Sequence, residues 1–137
     1  MNDEQALRLL GLARKARALE LGEEQVGICC RASHARLLLA ASDAGEHTVR
    51  RAQTFCRTGK PLYLTLPFTK EQLGAALGCN SCALCAFTDP AFALRFTQSL
   101  DHCDEAVVQE LTRLTERVRK RRAEQKAHRD HVKHGRK

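Results

Sequence analysis

Short apolar runs that alternate with helix-opening residue pairs are the feature of this sequence that most restricts its fold. Residues 35–41 read Ala-Arg-Leu-Leu-Leu-Ala-Ala and are followed by Ser42-Asp43, and residues 82–88 form a second apolar run followed by Asp89-Pro90. Runs of this length between helical patterns are typical of βαβ units, in which helices cover the faces of a buried sheet. We therefore predict an α/β protein whose ligand-binding loops lie at helix starts and strand ends.

Local start and stop signals divide the rest of the chain in the same way. Thr69, with Gln72 three residues later, forms a capping box, and Asp89 precedes a Pro at the first helical position. Ser42 or Asp43 is the predicted cap of the helix after the first apolar run. The pattern predicts strands over 18–21, 35–41, 62–66 and 82–88, and helices over 2–17, 23–32, 43–57, 70–78, 90–100 and from 104 onward.

The positive charge of the chain is concentrated at its C-terminal end. The formal net charge is +7, yet residues 1–112 carry 12 Lys and Arg against 13 Asp and Glu, whereas residues 113–137 carry 11 against 3. The last helix has an apolar stripe that ends at Val118, after which cations dominate. A basic segment on a near-neutral domain indicates contact with a polyanion, most often RNA or DNA. We predict a folded domain over 1–100, and over 101–137 a C-terminal helix with a basic tail that is solvent-exposed or disordered without a partner.

Composition argues against several other classes of protein. A chain of 137 residues is long enough for one core, and none of its apolar runs reaches the length of a membrane span. The first five residues are polar and acidic, unlike a signal peptide. We therefore expect a cytoplasmic protein that does not span a membrane.

Seven cysteines are many for a chain of this length. Cys79, Cys82 and Cys85 follow one another at three-residue spacing, which resembles a set of metal ligands. If 82–88 is a strand, Cys82 and Cys85 face opposite sides of the sheet and do not readily hold one ion. We therefore expect no bound metal and predict buried cysteines that act as small apolar side chains. A metal or redox protein built on these three residues is kept as an alternative.

The order of these elements, together with short matching segments, resembles a known family. The chain is similar to the superfamily of ribosomal proteins L-seven-Ae, L-thirty-e and S-twelve-e, which bind kink-turn RNA, and most of all to its small bacterial YlxQ-type members. The matching segments are 10–16, 21–24, 37–44, 60–63, 71–78 and 87–93. The element order and the resemblance together predict a three-layer α-β-α sandwich with a central mixed four-stranded sheet, plus a C-terminal basic helix.

The resemblance implies an RNA-binding site made of two segments. They are the start of the second helix, Gly22-Glu23-Glu24-Gln25, and the loop before the fourth strand, which includes Cys79, Asn80 and Ser81. A helix N-terminus offers N–H groups to phosphates or base edges, and polar loop side chains can hold a flipped-out nucleotide. Phosphate contacts are expected from further cations, namely Arg31, Arg119, Lys120, Arg121 and Arg122.

Two departures from the family pattern keep a second interpretation open. Kink-turn binders carry Asn or Lys where this chain has Glu24, and Lys where it has Ile28. The basic tail and Asn80-Ser81 favour a non-enzymatic RNA-binding protein that binds the ribosome or another structured RNA in a ribonucleoprotein. Glu24 and Ile28 favour a protein–protein adaptor on the same fold whose RNA face has decayed. No catalytic constellation occurs at usable spacing, so we expect neither enzymatic activity nor a cofactor.

Overall fold

The predicted element order is observed throughout the described part of the chain. The computed structural model describes residues 2–135, with side chains from Asp3 to Asp130. The elements are α1 (Asn2–Lys15), β1 (Leu19–Leu21), α2 (Glu23–Arg31), β2 (Leu37–Ala40), α3 (Glu46–Gly59), β3 (Leu62–Thr65), α4 (Lys70–Leu77), β4 (Leu84–Phe87), α5 (Pro90–Ser99) and α6 (Glu105–Gly135). Each strand lies within its predicted range.

The sheet brings four connecting segments to one of its ends, those that follow β1, β2 and β3 and the one that precedes β4. Its four strands have the order β1-β4-β2-β3. β4 pairs antiparallel with both β1 and β2, and β2 pairs parallel with β3. Because β1 and β2 both run opposite to β4, the segments that follow β1 and β2 lie beside the segment that precedes β4.

Alternating side chains of the central strands face two separate helical layers. One set faces α1, α4, α5 and the start of α6, and consists of Leu37, Leu39, Cys85 and Phe87. The other set faces α2 and α3, and consists of Leu38, Ala40, Leu84 and Ala86. Both β2 and β4 are buried along their whole length, as their continuous apolar sequences predict. The expected three-layer sandwich with a mixed sheet is therefore confirmed.

Of the side-chain caps predicted at Thr69, Asp89 and Ser42 or Asp43, the first two are present and the third is absent. Thr69 accepts a hydrogen bond from Gln72 N (3.1 Å) while Thr69 N donates to Gln72 Oε1 (2.9 Å), and Asp89 Oδ1 accepts from Ala91 N (2.9 Å). The cap predicted at Ser42 or Asp43 is wrong, because α3 begins at Glu46 after Gly45, with no side-chain cap. Asp43 Oδ1 instead accepts from Lys70 N at 2.8 Å, at the start of α4.

We expect Thr69→Ala to lower the free energy of unfolding by about 1 kcal/mol, because it removes the hydroxyl that accepts the hydrogen bond from Gln72 N. The matched control is Thr58→Ala. The Thr58 hydroxyl is exposed and donates only to Thr54 O within α3 (3.1 Å), so this change should cost less than about 0.5 kcal/mol. Urea unfolding of the two variants measures the difference. Equal midpoints would show that the box contributes nothing to stability.

The first two turns of α6 belong to the main core, and the rest of the helix leaves it. Val107 and Leu111 are buried among residues of α1 and α5, while Leu114 and Val118 are half-buried. Every side chain from Arg119 to Asp130 is exposed. The side chains of the tail are therefore exposed as far as Asp130, and its backbone is helical to Gly135.

Candidate nucleic-acid interface

The structure places the start of α2 directly beside the segment that precedes β4. Leu21, the last residue of β1, is paired with Cys85, and Gly22 N donates to Leu84 O at 3.0 Å. The segments 22–25 and 79–83 therefore form one continuous surface at the end of the sheet. We refer to this surface, residues 22–25 with 79–83, as the sheet-end site.

The first turn of α2 presents its N–H groups without a side-chain cap. Gly22 is the N-cap residue, with φ 85° and ψ 155°, and no side chain accepts from the first turn. A side chain at this position has open space, but the positive φ strains any residue with a Cβ. Uncapped N–H groups at a helix start bind anions and hydrogen-bond acceptors. The side chains of Glu24 and Gln25 are exposed beside them.

The Glu23 side chain belongs to this segment but is engaged within the protein. Its carboxylate accepts a hydrogen bond from the Thr48 hydroxyl (2.6 Å) and forms an ion pair with Arg51 (2.9 Å). The Arg51 guanidinium also lies over the ring of Phe55, 5.7 Å from its centroid. The carboxylate of Glu23 therefore holds α2 against α3, and Glu24 and Gln25 remain the free polar side chains of the turn.

The predicted phosphate contact Arg31 lies away from these groups. It occupies the last turn of α2, about 12 Å along the helix axis from Glu23. Its side chain is exposed, and its guanidinium approaches Gly27. A ligand bound at the first turn of α2 can therefore reach Arg31 only if it extends along the whole helix.

Backbone contacts fix the loop that carries Cys79, Asn80 and Ser81. Cys79 N donates to Gly74 O (2.9 Å) and Cys82 N donates to Lys70 O (3.0 Å). Gly74 has no room for a side chain, because a Cβ there would lie 2.7 Å from Ser81 Cα. The three loop residues are exposed. The loop is thus held in one position against α4 with its polar side chains facing solvent.

Two further residues at this end were not predicted from the sequence. Arg14, on α1, donates a hydrogen bond from its guanidinium to Leu77 O at the end of α4, and so places a cation beside the loop. Asp43 holds the segment after β2 against the start of α4. Both contacts join positions far apart in the sequence, so no local pattern could indicate them.

The structure corrects the placement of Cys82. The chain bends at Ala83, and β4 begins only at Leu84. Cys82 and Cys85 therefore lie on the same side of the sheet, in the same buried cluster. The neighbouring Cys85 thiol lowers the pKa of Cys82 to about 7, against the effect of burial and with help from the backbone of Leu84 and Gly22. The Cys82 thiol and full burial raise the pKa of Cys85 well above its usual value.

The described residues provide little support for other kinds of site. Between Asp3 and Asp130, no three His, Cys, Asp or Glu side chains are grouped as metal ligands. Within residues 2–135, no helix is both long and apolar enough to cross a bilayer.

The four predicted contact residues of α6, Arg119, Lys120, Arg121 and Arg122, are all exposed. They begin the exposed end of α6. We call residues 119–137, which α6 covers as far as Gly135, the basic arm. Its described cations include Lys126 and Arg129, whereas Lys133, Arg136 and Lys137 lie outside the described side chains. α6 packs on the side of the sheet that holds α1 and α5, and α2 lies on the opposite side. Over the described side chains of the arm, residues 119–130, no hydrogen bond or ion pair reaches the sheet-end site, so these predicted contact residues form a second surface.

Comparison with known proteins gives one curated relative and solved structures of the same fold. No protein-family model matches the chain. The RNA-binding protein YlxQ of Bacillus subtilis (strain 168) is 32% identical over 97 residues, which cover 68% of this chain and 92% of the relative. A protein of unknown function from Bacillus halodurans C is 30% identical with a TM-score of 0.63, over 71% of this chain and 97% of the other.

The Giardia lamblia 15.5kD RNA binding protein shares the fold at a TM-score of 0.56 and 18% identity, over 84% of this chain and 88% of the other. The similarity to YlxQ extends over nearly the whole of that relative. The chain therefore belongs to the family of the RNA-binding protein YlxQ.

Proposed function

We propose that this chain is a non-enzymatic RNA-binding protein whose sheet-end site recognises kink-turn-like structured RNA, ribosomal or otherwise, and whose basic arm adds phosphate contacts. The observation that carries the proposal is the contact between Gly22 N and Leu84 O, which joins an uncapped helix start to an exposed polar loop. A bent RNA presents base edges and an unstacked nucleotide close together, and both are recognised by hydrogen bonds. The relative from Bacillus subtilis is named as an RNA-binding protein.

The charges around the site support a division of roles between the two surfaces. Near the sheet-end site Glu23 is neutralised by Arg51, Arg14 lies beside the loop, and Glu24 stays exposed and negative. This balance suits base-edge contacts better than phosphate contacts. The basic arm has the opposite character. Between Arg119 and Asp130 its cations are exposed, and this part of the helix buries no apolar face. Phosphate contacts give affinity and base contacts give specificity.

We place the protein in the cytoplasm as part of this proposal. All seven of its cysteines are free thiols. Free thiols in this number suit a reducing compartment, where structural disulfides are rare.

The proposal is tested by measuring binding to a labelled kink-turn RNA and to a straight duplex of equal length at the same salt concentration. We expect the kink-turn to bind at least about tenfold more tightly, which corresponds to one or two good base-edge contacts. Equal affinities for the two RNAs would show that the protein does not recognise the bend.

A protein–protein adaptor is the second candidate, and one observation favours it. The Ile28 side chain, on the outer face of α2, is 47% exposed. An apolar side chain beside Gln25 suits a protein partner better than a phosphate backbone. Under this interpretation neither RNA binds to protein that lacks the basic arm.

Gln25→Ala should reduce the preference for kink-turn over straight RNA by about tenfold, because a base-edge contact is worth about 1–3 kcal/mol. The slope of affinity against salt should not change, since no phosphate contact is lost. Gln53→Ala is the control, because Gln53 is an exposed glutamine on α3 outside the site. Binding titrations at several salt concentrations give both quantities. A loss that is equal for both RNAs would exclude Gln25 from bend recognition.

A further inference from the structure

A large groove lies between α1 and α4, on the side of these helices that faces solvent. Its volume is about 950 Å³, and residues from 7–15 and 72–78 line it. We call this surface the α1–α4 groove. The half-buried residues Gly11 and Ala76 form its floor, where a Cβ on Gly11 would lie 3.0 Å from Ala76 O. Two helices that approach closely through small residues leave a concave surface above the contact.

The groove exposes apolar side chains. Leu12 is 49% exposed and lines the groove together with Leu7 and Ala75. Among the described residues, Ile28 is the other large apolar side chain that is exposed, and it lies on α2, in the opposite helical layer. A single exposed leucine is common on protein surfaces. An exposed leucine within an apolar groove allows a partner to bury several apolar groups at once.

The charged residues that line the groove are all cations. Arg8 and Lys15 are exposed on α1, about two helical turns apart, with Leu12 between them on the same face. The guanidinium of Arg14 is held at Leu77 O. Among the described residues, none of the ion pairs involves any of these three cations. The rim of the groove therefore carries positive charge that the protein does not neutralise by direct pairing.

We propose that the α1–α4 groove binds an acidic amphipathic helix of a partner protein. The apolar side chains of that helix pack against Leu12 and the small residues of the floor, and its Asp or Glu side chains lie beside Arg8 and Lys15. Helices that bind in grooves use apolar side chains at i, i+3 or i+4, and i+7. The α1 side of the groove, from Leu7 to Lys15, is about 12 Å long, which matches roughly two turns of such a helix.

Two other occupants fit these features less well. The phosphates of RNA would suit the cations but would leave Leu12 and the apolar floor without a partner. The basic arm of a second copy of this chain has the same sign of charge as the groove, and like charges across an interface are unfavourable. The proposal concerns a surface outside the sheet-end site and the basic arm, and it does not depend on RNA binding.

The probe is a displayed library of peptides of about 16 residues on an alanine-rich frame, long enough to form a helix, with the positions of one face randomised. Peptides are selected on the full-length protein and then measured free in solution by fluorescence anisotropy. We expect the enriched peptides to carry apolar residues one turn apart, flanked by Asp or Glu. Replacing those acids by Lys should weaken binding by at least about tenfold, because like charges then face each other.

Variants of the protein locate the bound peptide. Leu12→Ser should weaken binding of a selected peptide about tenfold, because a buried leucine contact is lost. Ile28→Ser is the matched control, since Ile28 is almost equally exposed but lies on α2, and it should leave peptide affinity unchanged. The double variant Arg8→Glu with Lys15→Glu should reverse the charge preference and bind the Lys-substituted peptide more tightly than the acidic one. All four residues are exposed, so these variants should fold.

Several outcomes would overturn the proposal. They are a selection that enriches no peptide, enriched peptides without an excess of acids, and a selected peptide that binds Leu12→Ser as tightly as the unchanged protein. A loss of peptide binding in Ile28→Ser would place the peptide on α2 instead. Weaker RNA binding by Leu12→Ser would assign the groove to RNA. A dimer in analytical ultracentrifugation that Leu12→Ser disrupts would assign it to a second copy of the chain.

Discussion

Truncation after Val118 will lower affinity for kink-turn and straight RNA alike by about 100-fold at roughly 0.1 M salt. Each phosphate neutralised by a cation contributes a factor of about 8 under these conditions, so two or three simultaneous contacts suffice. The exposed cations that the structure describes in the basic arm number six: Arg119, Lys120, Arg121, Arg122, Lys126 and Arg129. The ratio of the two affinities should not change. The slope of log affinity against log salt should become shallower by about 2–3.

A variant with reduced charge separates charge from chain length. Replacing those six cations by Gln keeps the helix and lowers the formal net charge of residues 119–137 from +7 to +1, and it should reproduce most of the loss caused by truncation. Unfolding of the truncated protein should match the full chain, because Val107 and Leu111, the buried anchors of α6, are retained. If truncation weakens only kink-turn binding, the arm recognises shape and the division of roles is wrong.

Gly59→Ala will destabilise the protein by about 3 kcal/mol or more, since overpacking a rigid site is costly. A Cβ on Gly59 would lie 2.2 Å from Cys30 O and 2.9 Å from Cys30 C. These are backbone atoms of α2, and Cys30 O already accepts from Ser33 N (3.0 Å). The helices must separate, and the separation disturbs the contacts of Glu23 with Thr48 and Arg51. Loss of RNA preference should therefore accompany loss of stability.

Gly45→Ala is the matched control on the same helix. Gly45 has φ −67°, and a Cβ there meets nothing within 4 Å. An Ala here gains through a less flexible unfolded chain but loses at the N-cap, where Gly is preferred to Ala, so the net change should stay below about 0.5 kcal/mol. Denaturant unfolding of both variants measures the contrast. If the Gly59 variant unfolds at the wild-type midpoint, the close approach of α2 and α3 does not limit stability.

Features set by neighbouring residues were predictable from the sequence. The capping box at Thr69 and the Asp89-Pro90 start depend on residues two or three positions apart, and both are present. The two buried strands were also predicted correctly, because a continuous apolar run can be identified from its own residues alone. The strands are shorter than predicted, because pairing with neighbouring strands determines where each one begins and ends.

Features set by long-range contacts were not predictable. Asp43 has the pattern of a cap for the next helix, yet it accepts a hydrogen bond from Lys70, 27 residues away. The bend that places Cys82 and Cys85 on one side of the sheet is held by bonds from Cys82 to Lys70 and from Ala41 to Ala83. The carboxylate of Glu23 is engaged by residues 25 and 28 positions further along the chain. The structure brings the two predicted segments, 22–25 and 79–81, together, whereas the carboxylate of Glu23 is engaged within the protein and Arg31 lies away from both segments.

The projection of the basic arm from the core has a consequence for the kinetics of binding. From Val118 to Asp130 the helix extends about 18 Å, so its cations meet an approaching polyanion before the sheet-end site does. Electrostatic steering of this kind raises the rate of encounter, whereas the lifetime of a complex depends on its short-range contacts. If both surfaces bind RNA as proposed, we expect the arm to set the association rate and the sheet-end site to set the dissociation rate.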